Sequence, residues 1–276
     1  MSGGLSVDLT QLETITYEIS NSVAILRLNR PERLNAATPE MYAEMRDVLA
    51  DAARTSSVRA VVIAGTGRAF CAGGDVKEGG PVQGAMSGTS LEFLDLYEQE
   101  VGPTLLAIRG LGMPTIAAVN GPAYGIGFDI ALCCDLRIAS QEAIFSSYWI
   151  RLGLAPAGGT FWTLPRIVGH ARAMDMMLSG RRVEADEALA VGLVTKVVPT
   201  TAELEAESMA LAEAIADGPP VGMKMTKELA EIAWNLSLPE ALHVVRGYNS
   251  IALKTEDARE GLNAVRERRP PGFRGI

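Results

Sequence analysis

From Gly110 to Phe128 the chain runs 19 residues without a charge. That approaches the roughly 20 apolar residues a helix needs to cross a bilayer. The stretch, however, contains Pro114, Asn120, Pro122 and five glycines, and a spanning helix of that composition is a poor one. The segment reads instead as chain buried in a protein: PTIAAVNG as a strand and turn, then a helix predicted to start near Gly125. Glycine-rich, uncharged backbone lets another group come very close. Asp129, the first charge after the stretch, stands where that group would arrive.

The surrounding sequence supplies a core to bury such a segment. TITYEI and VAILRLN are β-branched runs separated by SNS, a predicted hairpin. Thr38 offers an N-cap and Pro39 a first-turn proline. Met41, Met45, Val48, Leu49 and Ala52 follow at helical spacing. RAVVIAG is continuously apolar, which suits a strand buried on both faces. Residues 78–90 have no hydrophobic period and read as a long loop, followed by a helix from about Leu91 to Ile108. DLRIAS reads as a strand, His170 opens a helix, and GRRVEADEALAVGLVTKVV reads as helix, stop at Gly192, strand. After Pro199 only helical patterns remain. The expected organisation is a mixed α/β core over residues 1–200 and a helical region over 201–276.

Composition removes several classes of function. With 48% hydrophobic residues the chain is a folded protein. A net charge of −8 and a pI near 5.0 argue against a nucleic-acid partner. The one basic cluster, RERRPPGFRGI, reads as a solvated tail, with a smaller possibility that its arginines hold an anion. Three cysteines, two of them adjacent, make no disulfide framework and point to a reducing cytoplasm. The N-terminus has no secretory pattern, so a soluble protein with no membrane partner is expected. His170 and His243 stand far apart without a carboxylate spacing that suggests zinc. There is no phosphate-binding P-loop and no serine-hydrolase elbow. GIGFDI resembles a dinucleotide-binding turn, but Ile130 occupies the third glycine position, a weak match.

Two stretches share a pattern: RAFCAGGDVKE and NGPAYGIGFDIALCCD each place a strand before a glycine-rich turn. Such turns expose backbone N–H groups. Aimed at one point, two of them would hold a carbonyl oxygen gaining negative charge; taken singly, either is also explained as a tight turn and nothing more. With NRPERLNA and RLGLAPAGGTFWTLPRIVG they resemble, in order, the enoyl-CoA hydratase/isomerase family, the crotonases, from roughly residue 14 to the C-terminus. The resemblance implies a crotonase-like spiral of ββα units with a helical C-terminal trimerisation region, hence a homotrimer or a hexamer of two trimers. It implies an acyl-CoA thioester substrate whose enolate is held by two backbone N–H groups, with coenzyme A entering as part of the substrate and no resident cofactor or metal. Matched residue by residue, the donors are Gly74 and Ile126, the latter where the family usually has glycine. Lys77 falls where the family often contacts the coenzyme A phosphates, and Arg33 is a second candidate. Ala72 lies in the first turn beside the substrate. Asp129, three residues beyond Ile126, shares its helical face and is the expected acid/base; the plain alternative is a first-turn aspartate that favours the helix dipole.

The sequence departs from the family at the chemistry. Family hydratases use two glutamates; here Asp129 takes the first position and Trp149 the second. Indole is a donor only and cannot carry a proton at physiological pH. Asp129 is similar to the dienoyl-CoA isomerases, and Trp149 resembles the chlorobenzoyl-CoA dehalogenases, but the further acidic position of both maps to Ala157. Tyr148 reads as pocket wall or as a hydrogen-bond donor. Isomerisation, hydration and carbon–carbon cleavage stay open, as does an acyl-CoA-binding or assembly protein of the same fold with weakened chemistry.

Overall fold

The computed structural model describes residue 9, residues 11–76 and residues 89–276. Its main sheet takes six strands: β1 (Ile15–Ser20), β2 (Val23–Leu28), β3 (Ala60–Gly65), β4 (Thr115–Val119), β6 (Leu136–Ser140) and β9 (Lys196–Val198). They lie in the order β1-β2-β3-β4-β6-β9, with β1 and β2 antiparallel and every later pair parallel. A second sheet pairs β5 (Pro122–Tyr124), β7 (Ile144–Ser146) and β8 (Val183–Glu184). The predicted hairpin is β1–β2, turning at Asn21 and Ser22, both in the left-handed region.

Alternation along the strands explains the unbroken apolar runs. In β3, Val61 and Ile63 join one hydrophobic cluster, while Ala60, Val62 and Ala64 join another. In β4, Ala117 and Val119 face the first cluster, and Ile116 and Ala118 the second. Side chains alternate faces along a strand, so a strand covered on both sides must be apolar throughout.

The first face carries helix α1 (Pro39–Arg54), α3 (Gly102–Arg109) and α4 (Ile126–Cys133) among its cover, with α2 (Ser90–Leu96) preceding α3 in the chain. Thr38 caps α1 as the sequence predicts, its Oγ1 accepting from the Met41 N–H at 3.3 Å. The predicted single helix from Leu91 to Ile108 is interrupted: between α2 and α3 the chain makes a π-turn over Tyr97–Val101. Such insertions shift the register of one face relative to the other, and here the turn buries Val101. Next come a 3₁₀ turn at Tyr148–Leu152, α5 (Thr160–Val168), α6 (His170–Ser179) and α7 (Ala185–Ala190).

From Thr201 onward the described chain is helical apart from its last residues: α8 (Thr201–Ala216), α9 (Pro220–Ala233), α10 (Leu238–Ala252) and α11 (Glu256–Glu267). Helix α8 covers the second face of the sheet. Leu204, Ala212 and Ala216 are its buried contacts, two of them small enough to let the helix lie close. Helices α9 and α10 bury no residue. Among the described residues, no helix is long and apolar enough to cross a membrane.

The basic C-terminal segment, read from sequence as a solvated tail, is tied down. Asp257 is buried and accepts the N–H groups of Arg274 and Gly275 at 2.7 and 2.9 Å. The Arg59 guanidinium donates to the Phe273 carbonyl at 3.0 Å. Arg269 pairs with Glu260 and Glu267. A buried carboxylate needs donors to offset its desolvation, and the tail backbone provides them.

Candidate active site

The first glycine turn follows β3 and is fixed by backbone bonds on two sides. The Cys71 N–H donates to the Pro122 carbonyl at 3.0 Å, and the Tyr124 N–H returns to the Cys71 carbonyl at 2.9 Å. Across the turn, the Ala37 N–H donates to Gly73 at 2.8 Å and the Asp75 N–H to Ala37 at 3.1 Å. The Ala72 N–H is taken by Leu34 at 3.0 Å. Gly73, at φ +109°, adopts a conformation side chains avoid. The Gly74 N–H donates to no backbone carbonyl among the described residues.

The second turn starts α4. Gly125 sits at φ +50° and ψ −119°, which ends the strand and points the first helical N–H groups outward. Ile126 is the first helical residue, so its N–H has no acceptor within the helix. The turns are pressed together at Gly127: a Cβ there would stand 2.2 Å from the Cys71 carbonyl oxygen. Ala72, Gly73, Gly74, Val76, Gly125, Ile126, Tyr148, Trp149 and Leu152 line one cavity of about 130 Å³. Five of the sequence-predicted site residues therefore meet: Ala72, Gly74, Ile126, Tyr148 and Trp149. Tyr148 is exposed and stacks on Tyr124 at 5.9 Å.

Asp129 lies one helical step behind the cavity and is fully buried. Its Oδ1 accepts the Thr160 N–H at 2.8 Å and, more closely still, the Thr160 hydroxyl. Its Oδ2 accepts the Trp149 indole N–H at 3.2 Å. Burial pushes the carboxyl up to about 6, against the lowering effect of the Thr160 and Trp149 bonds. Trp149 thus touches both the cavity and the acid. Gly158 makes the approach possible, since a Cβ there would lie 2.2 Å from Asp129 Cγ.

The other predicted residues are placed differently. Arg33 pairs with Asp75 at 3.1 Å, and Arg30 reaches the same carboxylate at 3.2 Å. Lys77 lies outside the described residues, as do residues 78–88 of the loop expected over 78–90; Thr89 and Ser90, its last two residues, are the cap and first residue of α2. Among the described residues, no group of three or more His, Cys, Asp or Glu could hold a metal ion. Sequence reasoning missed Thr160 and Gly158. The signal was the glycine pair before the α5 start, but only the fold shows that this start faces Asp129, 31 residues away in sequence.

With this geometry in hand, comparison with known proteins gives a consistent picture. The profile of a family described as enoyl-CoA hydratase/isomerase matches residues 18–275. An (E)-benzylidenesuccinyl-CoA hydratase of Thauera aromatica is 38% identical over 266 residues, covering 95% of this chain and 99% of that one. A 1,2-epoxyphenylacetyl-CoA isomerase of Escherichia coli (strain K12) is 34% identical over 264 residues, covering 96% and 99%. The crystal structure of an enoyl-CoA hydratase from Bacillus anthracis superposes with a TM-score of 0.89 at 30% identity, covering 96% of this chain and all of that one. The crotonase-like fold with its helical C-terminal region, expected from sequence, is the fold of this chain.

Proposed function

The chain belongs to the enoyl-CoA hydratase/isomerase family, and from that premise we propose that it shifts a proton on an acyl-CoA thioester through an enolate. The thioester oxygen would lie between the N–H groups of Gly74 and Ile126. Charge reaching that oxygen in the transition state is worth about 10²- to 10³-fold in rate per donor. Asp129 takes the proton from the carbon beside the thioester, the C–H electron pair passes into the enolate, and the same carboxyl returns the proton at another carbon. A single carboxylate suffices for such an isomerisation. Hydration asks for a second group to activate water, and Trp149 only donates.

The observation that carries this reading is the pairing of the cavity with Asp129. No carboxylate lines the cavity among the described residues, and Asp129, bonded to the cavity wall through Trp149, has been raised toward neutrality, where a general base works best. The similar proteins include a hydratase and an isomerase, so family membership alone does not choose the reaction. Asp129→Asn tests it. Exchange of the substrate α-proton with deuterated solvent should fall by about 10² or more, while thioester binding measured by calorimetry stays within about tenfold. Unchanged exchange would leave Asp129 a buried structural acid and move the proton transfer to another group, whereas native protein that binds the thioester without any exchange would favour an acyl-CoA-binding protein of this fold.

We infer in addition that copies of this chain cover α9 and α10. Trp234, Leu238, Leu242 and Ile251 are each more than half exposed, more apolar surface than a lone soluble chain leaves open. The resemblance supplies three as the unit of assembly.

A further inference from the structure

Given the role proposed for Asp129, we propose that Thr160 and Trp149 divide its two oxygens between them, Thr160 as the positioning residue that fixes Oδ1 and Trp149 as the displaceable partner that leaves Oδ2 to do the proton transfer. The inference rests on the acid/base reading of Asp129 above, but its geometry is independent of it.

The two sides of the carboxylate are unlike. Oδ1 receives two donors from one residue, the backbone N–H and hydroxyl of Thr160. Thr160 is fully buried at the first position of α5, so its N–H is one that no helical carbonyl could take. Moving it would mean moving the helix start. Gly158, two residues earlier, closes against the carboxyl carbon with no room for a side chain. Oδ2 receives one donor at 3.2 Å from a half-buried indole that also forms cavity wall. An acyl group entering the cavity meets that indole, whereas Thr160 is not among the cavity-lining residues.

The lone pairs agree with the division. Oδ1 is saturated by two donors, and Oδ2 keeps one lone pair beyond the indole bond. The proton taken from the substrate carbon therefore binds Oδ2, and it leaves again from Oδ2. Thr160 holds charge on the carboxylate as it forms and keeps the plane of the group fixed. The other titratable groups facing Asp129 stay out of this exchange. Tyr42 on α1 and Tyr97 in the π-turn are both raised by burial first, and Cys133 on α4 is pushed up to about 12 for the same reason. None of them ionises near neutrality.

The test uses the full-length protein and nitrogen-15 NMR. In the native protein, the Thr160 amide and the Trp149 indole resonances should titrate together with a midpoint near 6, and neither should titrate in Asp129→Asn. Adding acetyl-CoA should move the indole resonance and leave the Thr160 amide in its bonded position. Thr160→Val, which keeps the shape and drops the hydroxyl, should raise the midpoint by about one to two units, the worth of a hydrogen bond to a charged group. It should lift the acid limb of the α-proton exchange profile equally, and Thr160→Ser should restore both. Trp149→Phe should raise the midpoint less. The proposal fails if acetyl-CoA disturbs the Thr160 amide and not the indole, or if Thr160→Val leaves midpoint and profile unmoved. Should Thr160→Val not fold, the native titration and the acetyl-CoA arm decide alone. If the midpoints behave as stated but Asp129→Asn exchanges normally, the cradle stands and the acid/base function falls.

Discussion

The glycine-turn site and the α9–α10 pair occupy opposite extremes of the same chain. At the site the first turn is held by backbone bonds on two sides, two glycines sit where a single carbon would collide, and a third where it would be crowded. Gly127 meets Cys71 and Gly158 meets Asp129, both at 2.2 Å, and Gly73 approaches the Tyr124 carbonyl at 3.3 Å. In α9 and α10 no residue is buried, and Trp234 just after α9 and Leu238, Leu242 and Ile251 of α10 face outward. The first region is determined by its own chain; the second is left open by it, and is the face on which we propose a neighbouring copy. A carboxylate can be kept unsolvated only where its donors cannot drift, which is why the acid sits in the first region.

The most direct way to break that contrast is to insert one methyl group at the site. Gly127→Ala places a carbon against the Cys71 carbonyl, which belongs to backbone bonded to Pro122 and Tyr124 and cannot swing aside. The expected loss is about 1–3 kcal/mol of stability from overpacking, read by denaturant unfolding. Because the two turns move apart, α-proton exchange should also fall by about 10²-fold, the effect of a displacement of about 1 Å. A Gly127→Ala protein with native stability and rate would show that the turns are looser than the geometry implies.

A smaller effect comes from pH. Asp129 rises on folding from 3.8 to about 6, so between those values the native state holds the proton more tightly than the unfolded chain does. The sign follows: this group's contribution to stability grows as pH falls from about 6 toward 4, opposite to an ion-paired aspartate. As a base, however, Asp129 must be ionised. Exchange should drop about tenfold for each pH unit below the midpoint, even while the fold gains. A rate that increases below pH 6 would assign Asp129 as an acid that begins the reaction protonated.

How much of this was legible in the sequence differs between residues for physical reasons. The sheet strands and α1 announce themselves through local periodicity and the Thr38 cap. Gly74, Ile126 and Asp129 were singled out by the resemblance to the family, residue by residue; the strand, glycine turn and helix start around them mark by themselves only where backbone N–H groups are exposed. Strands β5, β7 and β8 are two or three residues long, too short for alternation to register. The π-turn looks like ordinary helix by composition. Thr160 carries no local mark of its role, since its partner is brought to it only by the fold. Trp149 was read as the loss of a proton carrier; its indole also supplies a donor to Asp129, which a residue-type argument by itself does not reveal. Arg33 has a free-looking guanidinium in sequence and a carboxylate partner, Asp75, in space.

The smallest expected effect on chemistry belongs to the outer helices. Leu242→Glu puts a charge on the exposed face of α10, where Leu242 is 55% exposed and lies beside Leu229, Ile232 and Leu236. In an isolated chain that change faces water and costs little, within about 0.5 kcal/mol. Against a neighbouring copy it would bury an unpaired carboxylate, which costs far more. Light scattering on the native protein should therefore give a mass that is a multiple of three chains of 29.3 kDa, and Leu242→Glu should reduce it. The turns, Asp129 and Thr160 lie elsewhere in the chain, so α-proton exchange should change by about threefold at most, less than 1 kcal/mol. A native mass of one chain would remove the need for a partner on α9 and α10. A large loss of exchange with the mass unchanged would instead tie these helices to the site within a single chain, and the contrast between the two regions would fail.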